Sequence, residues 1–193
     1  MKRSVIMEAI QSFDLSVLNA IQNTLKCGFL DFFTVFLSYL TTSGIIWIAA
    51  GIILLFFKKT RVAGIILLAA LALGFLSGDV LLKHLVNRPR PFTVNTDIDL
   101  LIKQPSGASF PSTHSVLAAA ATTVLLVKKR NLGFIALALT VFIAFSRLYL
   151  YVHYPTDVLC GLLLGTLCGI TVLLIAKVVK LENKLASKKQ NTN

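Results

Sequence analysis

LGFIALALTVFIAFSRLYLYVHYPTDVLCGLLLGTLCGITVLLIAKVV, residues 132–179, decides the fold. Arg147, Asp157 and Lys177 are its only Asp, Glu, Lys or Arg side chains. A helix rises about 1.5 Å per residue and needs ~20 apolar residues to cross a hydrocarbon layer of ~30 Å. The stretch therefore reads as two membrane spans, Leu132 to about Leu150 and Pro155 to Val179, meeting at a polar corner over Tyr151–Tyr154.

The whole chain agrees. Of its 193 residues 56% are hydrophobic and 14% charged, with a mean hydropathy of +0.81. That is too apolar for a disordered or an ordinary soluble protein. The length allows one domain, 1–193, of roughly six short-looped spans and no large soluble appendage. The net charge of +11 fits cytoplasmic loops and anionic lipid; no basic stripe interleaved with aromatics points to nucleic acid. Cys27, Cys160 and Cys168 form no CxxC pair and read as packing residues. The first residues carry Glu8 and Asp14 and lack the long apolar core of a removable signal.

Upstream, apolar residues recur every three or four positions from Val5 to Leu25, so 1–26 is expected to be an amphipathic helix at the membrane surface. Phe29–Phe57 is too long for one crossing and carries Thr41, Thr42, Ser43 and Gly44 in its middle, which predicts two short spans joined by a turn. Val62–Val86 is a third span, a polar connection runs from Asn87 to Pro111, and Ser115–Val127 is a fourth. Residues 180–193 form a polar tail. The fold class is all-α: a six-span transmembrane bundle with an N-terminal amphipathic helix.

Lys and Arg in short loops stay in the cytoplasm. Lys58, Lys59, Arg61, Lys128, Lys129, Arg130 and the tail lysines fall on one side of this layout, joined by Lys2 and Arg3. Both termini are thus expected in the cytoplasm, and the connection and the 151–154 corner outside it. On that outer side Lys83, Arg88, Arg90 and Arg147 stand at span ends, where unpaired buried charge is expensive, so something anionic should balance them. Singly, each reads as a snorkelling side chain; clustered, they do not. His114 follows Pro111–Ser112–Thr113, a good helix start, and His153 precedes Tyr154–Pro155. Two helix N-termini then face one outer patch, which favours an anion. Asp157, one turn after His153, can accept from its ring and fix the tautomer.

These residues resemble the type 2 phosphatidic acid phosphatase (PAP2) family, marked by three blocks: Lys, six residues, Arg-Pro; Pro-Ser-Gly-His; and Ser-Arg, five residues, His, three residues, Asp. Lys83 with Arg90–Pro91 fits the first, and Ser146, Arg147, His153 and Asp157 the third. The middle block is Pro111–Ser112–Thr113–His114, with Thr for the family's Gly; Pro105–Ser106–Gly107 is a decoy because Ala108 follows. The resemblance implies catalysis by His153, His114 and Asp157: His153 attacks phosphorus to give a phosphohistidine, Asp157 orients it, and His114 serves as acid and then base. Lys83, Arg90, Arg147, Ser112 and Thr113 would hold the phosphate oxygens, with no metal and no cofactor. Thr113 leaves its N–H geometry open, and it is alternatively a helix cap or a hydroxyl donor. Asp79 is a candidate ion partner for Lys83. Arg88 is left between touching substrate and facing lipid headgroups.

The implied substrate is a lipid phosphate or diphosphate whose tail stays among membrane lipids, with undecaprenyl pyrophosphate ahead of phosphatidylglycerophosphate and phosphatidic acid. The implied setting is a bacterial plasma membrane with the site outside the cytoplasm. The segment 92–110 is either a lid or an interfacial loop, and Asp97 and Asp99 read as solvated. A lipid-binding or transport protein would need the cations but not His153 and His114. The related vanadate-dependent haloperoxidases share the pocket but are soluble as a class.

Overall fold

The element that positions all others is the helix α7, Thr113–Lys128, whose face from Ser115 to Ala121 is buried without a break. A computed structural model of the chain describes residues 2–190, with side chains over 7–179. Lys2, Arg3 and the lysines of the 180–193 tail thus have side chains outside the described residues. The architecture is all-α, with no strand among the described residues. In chain order the helices are α1 (Lys2–Leu25), α2 (Gly28–Leu40), α3 (Ile45–Phe56), α4 (Arg61–Phe75), the short α5 (Lys83–Val86) and α6 (Pro91–Val94), then α7, α8 (Arg130–Tyr149) and α9 (Pro155–Gln190). A π-helical segment, Leu76–Leu82, joins α4 to α5.

α7 packs against α4, α8 and α9, and its own small residues, Ala118–Ala121, let all three approach. On α9, Gly161, Gly165 and Gly169 face it at helical spacing; a Cβ on Gly165 would stand 2.0 Å from the Val116 carbonyl oxygen. Small residues four apart are what helices use to approach closely inside a bilayer. That closeness brings the first turn of α9, with Asp157, against the start of α7: the Ser112 N–H donates to the Asp157 carbonyl at 3.1 Å.

Arg61–Val94, Arg130–Tyr149 and Pro155–Val179 are each long and apolar enough to cross a membrane, and α7 is a shorter apolar helix. The stretch expected to give two short spans behaves differently. Ser43 and Gly44, at φ 52° and 72°, break the helix, yet Gly28–Leu40 and Thr42–Phe56 are bent by only 42°. A hairpin needs a reversal, and α2 packs on α8 while α3 packs on α4. One bent element therefore replaces two antiparallel spans.

The N-terminal helix moves with that correction. The six-span layout puts it at the basic end of the bundle, with the 57–60 and 128–130 turns. The structure packs it at the other end, along the 149–156 corner: Gln22 Nε2 donates to the Tyr149 carbonyl at 2.6 Å, the Tyr151 hydroxyl to Asn19 at 2.9 Å, and the Thr156 N–H to Asp14 at 3.1 Å. α1 and the far part of α9, where Lys177 shares a groove with Val62 and Lys128, lie at opposite ends. Segment 92–110 covers the same corner, its Phe92, Ile98, Leu100 and Ile102 packing with Leu150–Val152 and Tyr154.

Replacing Gly165 by Leu tests the α7–α9 contact. Overpacking of this kind costs roughly 1–3 kcal/mol where neighbours can yield, and here the obstacle is backbone. Gly165→Leu is expected to lower the melting temperature of the detergent-solubilised protein clearly, whereas Leu163→Ala, on the exposed side of α9, leaves it within a degree or two.

Candidate active site

α7 begins at Thr113, where Pro111 and Ser112 end the preceding loop. Ser112 is its N-cap, with the hydroxyl oxygen accepting from the Ser115 N–H at 3.4 Å and from the Ser115 hydroxyl at 3.0 Å. A cavity of about 380 Å³ opens over this helix start. Of the residues singled out from sequence, Lys83, Arg90, Thr113, His114, Arg147 and His153 line it together, with Asp79. Ser112 and Asp157 do not line it: the cap fully buries Ser112, and Asp157 lies behind His153.

Arg90 and Arg147 decide the character of the cavity. Arg90 is 5% exposed and Arg147 2%, and among the described residues neither has a carboxylate within salt-bridge distance. Neutral oxygens orient them. Arg90 donates to the carbonyls of Ser106 (3.2 Å), Gly107 (3.0 Å) and Val152 (3.0 Å), and Arg147 to the Ser146 hydroxyl at 3.1 and 3.0 Å. Each also reaches a ring nitrogen, Arg90 that of His153 at 3.3 Å and Arg147 that of His114 at 3.4 Å. A buried guanidinium satisfied only by neutral acceptors remains a strong unfilled anion partner.

His153 sits in the corner between α8 and α9. Its Nδ1 lies 2.8 Å from the Ser109 carbonyl oxygen, which accepts only if Nδ1 carries the proton, so Nε2 keeps its lone pair and faces the cavity with Arg90. The sequence assigned this orienting task to Asp157, whose oxygen is 3.8 Å from Nδ1. Asp157 works one step further out: it accepts from the Ser109 hydroxyl, from the Tyr154 N–H at 2.9 Å and from Arg88 at 2.8 Å. Burial pushes the His153 imidazole down to about 4, with Asp157 opposing and Arg90 reinforcing the shift, so the ring is neutral near pH 7.

Asp79 pairs with Lys83 one turn on and accepts the Thr113 hydroxyl at 2.6 Å. The expected ion partnership is therefore present, and Thr113 spends its hydroxyl on Asp79. Arg88 meets neither expectation set for it: its fork is taken by Asp14, Asp157 and Thr156, and its face lies 3.8 Å from the Tyr154 ring centroid. Ser109, and the carbonyls of Ser106 and Gly107 inside the decoy string, were missed. A backbone acceptor leaves no side-chain signature, and only the Gly107 φ of 74° hints that this loop is specially shaped. Among the described residues no three His, Cys, Asp or Glu side chains gather as metal ligands.

Buried arginines, a neutral histidine with a free nitrogen and a second ring over a helix start make a recessed, open-mouthed site that suits a tetrahedral oxyanion. The chain belongs to the PAP2 superfamily, which matches residues 62–180. It is 34% identical over 122 residues to an undecaprenyl-diphosphatase of Sulfolobus acidocaldarius, a match spanning 63% of this chain and 59% of that protein. The fold is similar to that of Aquifex aeolicus LpxE, with a TM-score of 0.73 and 32% identity over 83% of this chain and 94% of that one. It is also similar to a transmembrane PAP2-type phosphatidylglycerolphosphate phosphatase of Bacillus subtilis, with a TM-score of 0.71 and 28% identity over 89% and 88%. With its apolar helices, the chain is a membrane protein.

The arginines give the test of the anion site. Arg90→Gln and Arg147→Gln are each expected to weaken binding of inorganic vanadate, measured by calorimetry on purified protein, by roughly tenfold to a hundredfold, the worth of a charged hydrogen bond. Binding unchanged in both would refute the site.

Proposed function

We propose that the chain is a lipid phosphatase that removes the terminal phosphate of a lipid phosphate or diphosphate through a phosphohistidine on His153. The observation that carries this is the convergence of Arg90 and Arg147, buried and unpaired with carboxylate, on the two imidazoles of one cavity. A protein that only gripped an anionic lipid would need the cations but not a tautomer-fixed imidazole.

The chemistry runs in two displacements. The His153 Nε2 lone pair attacks phosphorus as the bond to the lipid oxygen breaks, and His114 donates its proton to that departing oxygen. Arg90, Arg147 and Lys83 hold the non-bridging oxygens, where charge gathers in the transition state. As the ring becomes cationic, Asp157 behind it offsets the new charge. Water, losing its proton to His114, then attacks the phosphohistidine, releasing phosphate and restoring the neutral ring.

The relative named as an undecaprenyl-diphosphatase supports a polyprenyl diphosphate, and undecaprenyl pyrophosphate is the substrate this reading favours. A second reading, phosphatidylglycerophosphate, is supported by the Bacillus subtilis structure. Purified protein should release phosphate from at least one of undecaprenyl pyrophosphate, phosphatidylglycerophosphate and phosphatidic acid, ranked by kcat/KM, with activity that survives EDTA. His153→Ala should abolish it. Failure on all three would sink the enzyme reading; activity retained by His153→Ala would sink the phosphohistidine.

This reading puts the site on the extracytoplasmic side of a bacterial plasma membrane, supported by the Lys58–Arg61 and Lys128–Arg130 clusters at the opposite end of the bundle. With the bent α2–α3 pair as one crossing, the six expected spans become five, and α1 lies on the site side as an interfacial helix with Met7 and Phe13 exposed. A cysteine-free variant with single cysteines at position 97 or 129 tests this in intact cells. An impermeant maleimide should label position 97 and spare 129; the reverse pattern would invert the orientation.

A further inference from the structure

Asp14 is a fully buried carboxylate on the N-terminal helix, outside residues 62–180 that match the family. Its Oδ1 accepts the Thr156 N–H at 3.1 Å, a free donor in the first turn of α9, so Asp14 caps the helix that carries Asp157 from a distant part of the chain. Its Oδ2 accepts the Thr156 hydroxyl at 2.6 Å and Arg88 at 2.7 Å. The other arm of Arg88 donates to Asp157 at 2.8 Å and to Thr156 at 2.7 Å. Planar bidentate bridging of this kind fixes distance and angle at once, which a lysine cannot do. The guanidinium is clamped a third way by the Tyr154 ring beneath it.

We infer that Asp14 and Arg88 are positioning residues for the nucleophile: α1 holds Arg88, and Arg88 holds Asp157 in place behind His153, where its charge supports the ring. The inference rests on the phosphohistidine reading above. Without the Arg88 fork, Asp157 keeps only the Ser109 hydroxyl and the Tyr154 N–H and is free to swing about them, so the carboxylate now held 3.8 Å from the His153 Nδ1 shifts relative to the ring. The imidazole then loses the fixed negative charge that steadies it and offsets its positive charge during attack. Misplacement on the scale of 1 Å costs up to a hundredfold in rate. The phosphate oxygens are bound by other residues, Arg90, Arg147 and Lys83, so binding should be little affected.

The experiment compares full-length wild type, Asp14→Asn, Arg88→Lys and Arg88→Gln, using whichever lipid of the panel wild type hydrolyses. Asp14→Asn is nearly isosteric and is the deciding variant. It and Arg88→Gln are expected to lower kcat about tenfold to a hundredfold with KM within about twofold and inorganic vanadate affinity retained. Arg88→Lys, keeping the charge but losing the fork, should recover part of that loss, and the Asp14→Asn/Arg88→Gln double variant should be little worse than Arg88→Gln alone. A wild-type kcat in Asp14→Asn, a loss expressed only in KM, or fully additive effects would overturn the inference while leaving the phosphatase reading standing. A wild type inactive on every lipid would remove that reading and this inference with it.

Discussion

Two guanidinium groups held inside apolar protein without a carboxylate are the constraint on which the rest of the structure depends. Burying an ion is costly, and pairing it with a protein carboxylate would offset the cost but consume the charge. Here carbonyls of Ser106, Gly107 and Val152 and the hydroxyl of Ser146 take part of each guanidinium's hydrogen-bonding capacity, which fixes geometry and leaves net charge for a ligand. The shaped loop before α7 and the sharp corner after α8 follow from this need: both present backbone oxygens toward the interior, which a continuous helix cannot do because its carbonyls are already engaged.

The carboxylates are consistent with the same rule by where they stand. Asp79, Asp14 and Asp157 each hold a cation, but the cations they hold are Lys83 at the cavity's edge and Arg88 behind it, never Arg90 or Arg147. An acid in contact with the inner arginines would compete with any anion for them. Around His153 the arrangement is similar: a neutral acceptor, the Ser109 carbonyl, takes the Nδ1 hydrogen bond at 2.8 Å, and the Asp157 carboxylate stands at 3.8 Å.

Much of this was legible in the sequence. Apolar runs bounded by lysines gave the all-helical membrane class, and the spacing of Lys83–Arg90, Ser112–His114 and Arg147–His153–Asp157 gave all the cavity's histidines and its inner cations. What hydropathy does not encode is direction. A polar break such as Thr41–Gly44 is compatible with a reversal or a bend, and the choice depends on α2 finding α8 as its neighbour and α3 finding α4. Motif matching likewise names positions but not contacts. Ser112 was expected on phosphate and is a cap, because the first turn of a helix leaves N–H groups that the nearest hydroxyl serves first. Asp14 carried a local hint, an acid at the i−4 position of buried Leu18 on the packed face of α1, but its partners Arg88 and Thr156 lie 74 and 142 residues away.

The depth of the site follows from the length of α7. At about 1.5 Å per residue its 16 residues span ~24 Å, short of a ~30 Å hydrocarbon layer, so a helix that starts late leaves a recess at one end. Around that recess the bundle is unequal. Thr42–Gly44, Phe75 and Leu117 form one wall, and the loop residues Pro105 and Ser106 another. An oxyanion drawn to Arg90 and Arg147 therefore has an apolar surface on one side and loop backbone on the other. The same shortness that makes α7 a poor membrane span by itself makes room for an anion between its N-terminus and the corner of α8 and α9.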